Sequence, residues 1–221
     1  MKNTMKKNRK HGSEPDFRRQ TPNRAKKQII AILTEGKTEQ EYIQHLVKEW
    51  KLFKNQRFEI QIVSMNTGAS QTLLQEAKKR KKECDYVWIV CDKDENSDEC
   101  FAQMLEQAAS QKIEVAYSNQ AFEYWVLLHF LDHQGEEMDR RDYEKKLNQV
   151  LKPYEIVYKT TPKTLSPELL DVLMNDELID KAVSRATRIY ERKVNEGRPH
   201  SESSTTFYRL IVRLRELKAN Q

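Results

Sequence analysis

Ile29-Ile30-Ala31-Ile32-Leu33-Thr34-Glu35-Gly36 is the stretch whose reading decides the fold. An unbroken run of aliphatic and β-branched residues, with no polar alternation, reads as a strand covered on both faces, as in the parallel sheets of α/β proteins. Gly36 ends the run. Glu39–Trp50 then places Tyr42, Ile43, Leu46, Val47 and Trp50 on one helical stripe.

The same alternation continues outward. Phe58–Met65 alternates Phe58, Ile60 and Ile62 as a second strand, and Asn66-Thr67-Gly68 turns the chain. Ser70 caps a helix running to about Lys82, with Leu73, Leu74 and Ala77 inward. Tyr86–Cys91 is a third strand, and Glu95-Asn96-Ser97-Asp98 a loop ending in a cap. Phe101, Met104, Leu105 and Ala108 mark the next helix, Ile113–Tyr117 a fourth strand, and Phe122–Leu131 a nearly all-apolar and therefore buried helix. This order predicts right-handed βαβ units: an α/β fold with a mostly parallel four-stranded sheet flanked by helices.

Beyond about residue 138 the character changes. Asp142–Leu151, Ser166–Met174, Asp176–Val194 and Ser204–Leu217 read as amphipathic helices. Ser166-Pro167-Glu168 is a helix start, with a cap, a proline at the first helical position and an acid in the first turn. Gly197 and Pro199 stop the long helix. The expected division is a basic flexible leader over 1–26, an α/β core over 27–135, and a helical region over 136–221 packed on that core.

Charge is unevenly spread. The 221-residue chain carries +5; residues 1–28 hold ten Lys/Arg and two acids, a net of +8, so the remainder carries −3. Arg18, Arg19, Arg24, Lys26 and Lys27 in that arm suit a nucleic-acid backbone, bound through counterion release. A solvated tail is the alternative. No stretch approaches the roughly 20 apolar residues that span a bilayer, and the basic N-terminus lacks the apolar segment of a secretory signal. Cys84, Cys91 and Cys100 form no CxxC pair, and their odd number fits a reducing, cytoplasmic setting. His129 and His133 stand four apart, but a zinc site needs further ligands that the sequence does not place beside them.

Four acids remain. Glu35 and the pair Asp92 and Asp94 follow strands, and Glu123 opens an otherwise apolar helix. Ligands of open α/β sheets bind outside the carboxyl ends of the strands. Carboxylates gathered there repel one another unless a hard cation or protons offset them. Asp92 and Asp94, two apart in extended chain, point to one face and fit Mg²⁺ or Mn²⁺; an ordinary acidic loop is the bland reading. Gly36 lets the backbone turn and approach a ligand closely, Lys37 adds positive charge, and Thr38 or Glu39 caps the helix whose N–H groups face a phosphate. Glu123 either joins the metal or pairs with a base elsewhere. Phe122, Trp125 and Leu128 read as core, and His129 as a hydrogen-bonded core histidine.

The full string is Ile32-Leu33-Thr34-Glu35-Gly36-Lys37-Thr38-Glu39-x-x-Tyr42, Asp92-x-Asp94-Glu95, then Tyr117-Ser118-Asn119-x-x-Phe122-Glu123-x-Trp125-x-Leu127-Leu128-His129-Phe130. It resembles the RloB-like family, over about residues 26–215, and Ser204-Thr205-Thr206-x-x-Arg209-Leu210 resembles that family's ending. The Glu-Gly and Asp-x-Asp pair also resembles the Toprim fold. Relatives carry one more residue between the glycine and the Thr-Glu pair, and Asn-Pro where this chain has Glu202-Ser203. The resemblance implies a metal-dependent Toprim nuclease-like effector of bacterial antiphage defence, partnered by an AAA- or ABC-type ATPase. By that analogy Glu35 is the general acid/base, Asp92, Asp94 and Glu123 hold Mg²⁺, and Gly36, Lys37, Glu39 and Asn119 sit beside the substrate. The competing expectation is a non-catalytic sensor or docking subunit of an ATPase complex. No GxxxxGK[ST] motif is present, so the chain is not itself expected to be a P-loop ATPase.

Overall fold

The computed structural model describes residues 26–66, 70–93, 97–161 and 164–220. Strand β1 (Gln28–Thr34) leads through α1 (Lys37–Glu49) to β2 (Phe58–Ser64), and α2 (Ser70–Arg80) leads to β3 (Tyr86–Asp92). Helix α3 (Asp98–Ser110), β4 (Glu114–Asn119) and α4 (Glu123–Phe130) follow. The sheet order is β2-β1-β3-β4-β5, parallel throughout except the last pair.

That order turns around between β1 and β3. The chain steps outward from β1 to β2, then crosses back over β1 to lay down β3 and β4 on the other side. Neighbouring crossovers there leave the sheet on opposite faces, which opens a crevice at the strands' carboxyl ends. Ile30 and Ile32 of β1 pack against α1, while Ala31 and Leu33 pack against α2 and α3. Both faces are covered, which is why the run lacks polar alternation.

The fifth strand corrects the four-stranded expectation. Ser204–Thr205, read from sequence as the start of the last helix, is β5, antiparallel to β4 through Ser118↔Thr205 and Asn119↔Ser204. It carries no apolar residue to mark it. Hydroxyl bonds fix it instead: Thr205 Oγ1 donates to the Tyr117 carbonyl at 2.9 Å and lies 2.9 Å from Ser118 Oγ. Helix α8 (Phe207–Ala219) begins only after it.

The remaining helices, α5 (Asp142–Leu151), α6 (Pro167–Leu173) and α7 (Asp176–Asn195), share one apolar cluster with α1, α4, α8 and one face of the sheet. Helix α4 runs through its middle, so its residues Glu123–His129 are all buried. Tyr42, Phe122, Trp125 and Phe207 meet mostly edge-on, with centroids 5.1 to 6.3 Å apart, each pair worth about 0.5–1.5 kcal/mol beyond area burial. Local signals hold as read at several ends. Ser166 Oγ accepts from Leu169 N at 3.2 Å, and Gly197, at φ +73°, follows α7 in the left-handed region that favours glycine. The cap of α3 is Ser97, whose Oγ accepts from Cys100 N at 3.3 Å; Asp98 is its first helical residue.

His129 is the core histidine the sequence predicts. It is fully buried, with Nδ1 3.0 Å from the Trp125 carbonyl and Nε2 3.1 Å from Tyr42 Oη. His133 lies beyond the end of α4, bonded through Nδ1 to Tyr124 Oη and Gly135 N. The two imidazoles share no site. Among the described residues, no helix is long and apolar enough to cross a membrane.

Candidate active site

A cleft of about 400 Å³ opens at the carboxyl end of the sheet, where β1 and β3 lie side by side. Glu35, Asp92 and Glu123 line it, together with Gly36, Lys37, Thr38, Glu39 and Arg140. Most of the acids picked out in the sequence therefore converge on one cavity. Asp94 lies outside the described residues, and so do Arg18, Arg19 and Arg24.

The strand pairing brings the first two acids together. Glu35 N donates to the Val90 carbonyl at 2.9 Å, extending β1 along β3. Glu35 Oε2 in turn accepts from the backbone N–H of Asp92 at 3.2 Å. The first carboxylate is thus anchored on the strand end that presents the second. Lys93 leaves on another course: it is buried, pairs with Asp98 and donates to the His200 carbonyl at 3.0 Å.

Gly36 leaves room for the Glu39 side chain. Its φ of −122° is open to any residue, but a Cβ there would lie 2.9 Å from Glu39 Oε2. Glu39, buried at the third position of α1, folds its carboxylate back over the helix start. The obstacle is the far end of a flexible side chain, so Gly36→Ala is expected to fold with little change in unfolding midpoint and to push Glu39 aside. Whatever turnover the cleft supports is then expected to fall roughly 10- to 100-fold, since misplacement by about 1 Å has that effect. Thermal melts and turnover on the same preparations check both halves.

Glu123 has a protein partner that the sequence did not announce. Tyr158 donates its hydroxyl to Glu123 Oε1 at 2.8 Å, in a buried contact. Burial first, then the Glu123 charge, pushes the Tyr158 phenol well above its ordinary range, so it remains a donor. Tyr158→Phe leaves a buried carboxylate oxygen short of a donor, at an expected cost of about 1–3 kcal/mol, measurable by urea unfolding.

Arg140 is the second residue missed from sequence. Its Nη2 stands 3.8 Å from Asp92 Oδ2. A chain of contacts holds it in place. Arg140 N donates to Gln120 Oε1 at 2.9 Å, and Gln120 Nε2 donates to Glu202 Oε1 at 2.5 Å. The Glu202 carbonyl accepts from the buried Lys193. Nothing in Asp139-Arg140-Arg141 sets it apart from an exposed charge run. Asn119 does not line the cleft; it is buried, and its Nδ2 donates to the His200 carbonyl at 2.7 Å. Lys26 and Lys27 are exposed just before β1, at the opposite end of the sheet.

The donor set is all oxygen, which suits a hard divalent cation such as Mg²⁺ rather than zinc. Among the described residues no three His, Cys, Asp or Glu side chains are grouped to hold a metal. Mg²⁺ usually takes one or two protein carboxylates and keeps water or substrate oxygens for the rest, so Asp92 with a neighbouring acid fits it.

The RloB-like family model matches residues 30–214, a span that runs from β1 into α8 and contains the cleft. The chain belongs to the RloB-like family. No curated protein and no solved structure matches it. In this RloB-like protein, then, the matched span holds both the reversal of strand order and the acids gathered at it.

Proposed function

We propose that this RloB-like protein is a metal-dependent, Toprim-type nuclease that cleaves phosphodiester bonds in DNA or RNA, acting in antiphage defence beside an AAA- or ABC-type ATPase. The observation that carries the reading is the convergence of Glu35 and Asp92 on one cleft at the strand-order reversal, with Glu123 and Glu39 on its walls. Asp92, with Asp94 and Glu123, would hold Mg²⁺ or Mn²⁺. When bound, such an ion polarises phosphoryl oxygens and makes a bound water more acidic.

The protein's own groups do the rest. Glu35, anchored by the Asp92 N–H, takes the proton from the attacking oxygen or returns one to the leaving oxygen. The N-terminus of α1, with Lys37 beside it, attracts the phosphate. Arg140 supplies a second positive charge on the Asp92 side of the cleft and suits a bidentate grip on phosphate oxygens.

The test is incubation of the full chain, with and without a candidate ATPase, on DNA and on RNA with Mg²⁺, Mn²⁺ or EDTA. Cleavage that EDTA stops supports the reading; a folded protein that binds neither metal nor cuts either polymer removes it. The Arg140–Asp92 and Tyr158–Glu123 contacts favour one alternative, a docking subunit whose acids are already matched by protein groups. That alternative expects no metal binding that depends on Glu35 and Asp92, which calorimetric Mn²⁺ titration decides.

A further inference from the structure

We propose that the end of the sheet opposite the cleft is an anchoring surface for single-stranded nucleic acid. The turn from α1 into β2 forms a depression of about 510 Å³ lined by Lys51, Lys54, Asn55, Gln56 and Arg57. Three cations and two amides line it, with no carboxylate. Lys51 sits in the left-handed region at φ 58° and opens a short 3-10 turn over Leu52–Lys54. That turn sends Leu52 into the core and leaves Phe53 outside, 52% exposed, lining the neighbouring depression with His45, Lys48 and Glu41.

The sheet register extends the patch. Gln28 N donates to the Arg57 carbonyl at 2.9 Å, so Lys26 and Lys27 enter beside Arg57. Asp85, which starts from the same end, has its Oδ2 accepting from Ile29 N at 2.7 Å. At the foot of β3, Tyr86 is partly exposed and carries the Arg213 guanidinium 5.1 Å from its ring centre. The surface therefore sets a group of cations beside one exposed aromatic side chain, Phe53, while the Tyr86 ring is covered by Arg213, which pairs with Glu216. Phosphates answer the cations through counterion release, and an unpaired base stacks on Phe53. An acidic protein surface would match the charges and leave Phe53 without a partner. Strands of seven residues put this surface about 20 Å from the cleft, so it takes a different stretch of polymer from the one at the carboxylates. The inference does not rest on cleavage at the cleft.

Fluorescence anisotropy of the full chain with a labelled oligonucleotide of about 20 nucleotides, in EDTA and across a salt series, tests it. The combined Lys51→Gln, Lys54→Gln and Arg57→Gln variant is expected to bind at least roughly tenfold more weakly, with a salt slope shallower by about two. Phe53→Ala, an exposed change that leaves the charges alone, is expected to weaken single-strand binding by about fivefold or more and duplex binding far less. Unchanged affinity and slope in the triple variant would overturn the proposal. So would equal losses for duplex and single strand in Phe53→Ala, or capture of an acidic protein with no oligonucleotide binding.

Discussion

Asp92→Ala is expected to lower the proposed metal-dependent strand cleavage by roughly 100-fold or more while leaving the protein folded. Asp92 ends β3, and its backbone pairs with Ser118 whatever its side chain. Its N–H to Glu35 is also a backbone group and survives the change. What disappears is the carboxylate beside Arg140 and with it the proposed hold on the cation. Asp92→Asn keeps the shape, removes the charge, and is expected to behave nearly as badly. Circular dichroism and Mn²⁺ titration accompany the cleavage assay, so a fold defect is distinguished from a site defect. A variant that cuts at the parental rate, with Mn²⁺ affinity unchanged, would remove Asp92 from the chemistry.

The second large effect is acid lability from His129. Burial lowers its pKa from 6.5 to about 4, with Arg185 adding to the shift. The Trp125 carbonyl can only accept, so Nδ1 carries the proton of the neutral ring and Nε2 accepts from Tyr42. The folded state thus holds this imidazole neutral at pH values where the unfolded chain would protonate it. Between 6.5 and about 4 the unfolded state binds more protons, so stability falls as pH falls through that window and is fully present above it. The expected loss from pH 7 to pH 4 is about 3 kcal/mol. Burial lowers His133 and His200 as well, with the same sign. Urea unfolding of the parent and of His129→Gln at several pH values isolates the residue. The variant starts less stable at pH 7, and the gap to the parent should close as pH falls. Parallel curves would show that His129 does not titrate on unfolding.

The local patterns were legible because each depends on neighbours in the chain. The Ile29–Thr34 run, the Tyr42–Leu46 stripe and the Ser166-Pro167 start are properties of a few consecutive residues, and they produced β1, α1 and α6 close to where they stand. Glu35 and Asp92 were legible because both end apolar strands, and strand ends in a parallel sheet face the same way. Glu123 was legible as a charge in an apolar helix.

The tertiary structure decided what depends on contacts between distant positions. Tyr158 reaches Glu123 across 35 residues, and Gln120 positions Arg140 across 20; neither contact leaves a periodic trace. Strand β5 is held by hydroxyls with no apolar face, so periodicity could not separate it from the helix that follows. Asn119 sits in a recognisable string, yet its amide serves the His200 carbonyl. The sequence alone determined which segments are strands and helices and which strand ends carry charge, because those follow from side-chain period and chain direction. Only the folded chain decided what faces each carboxylate, because that follows from the order in which the strands are laid side by side.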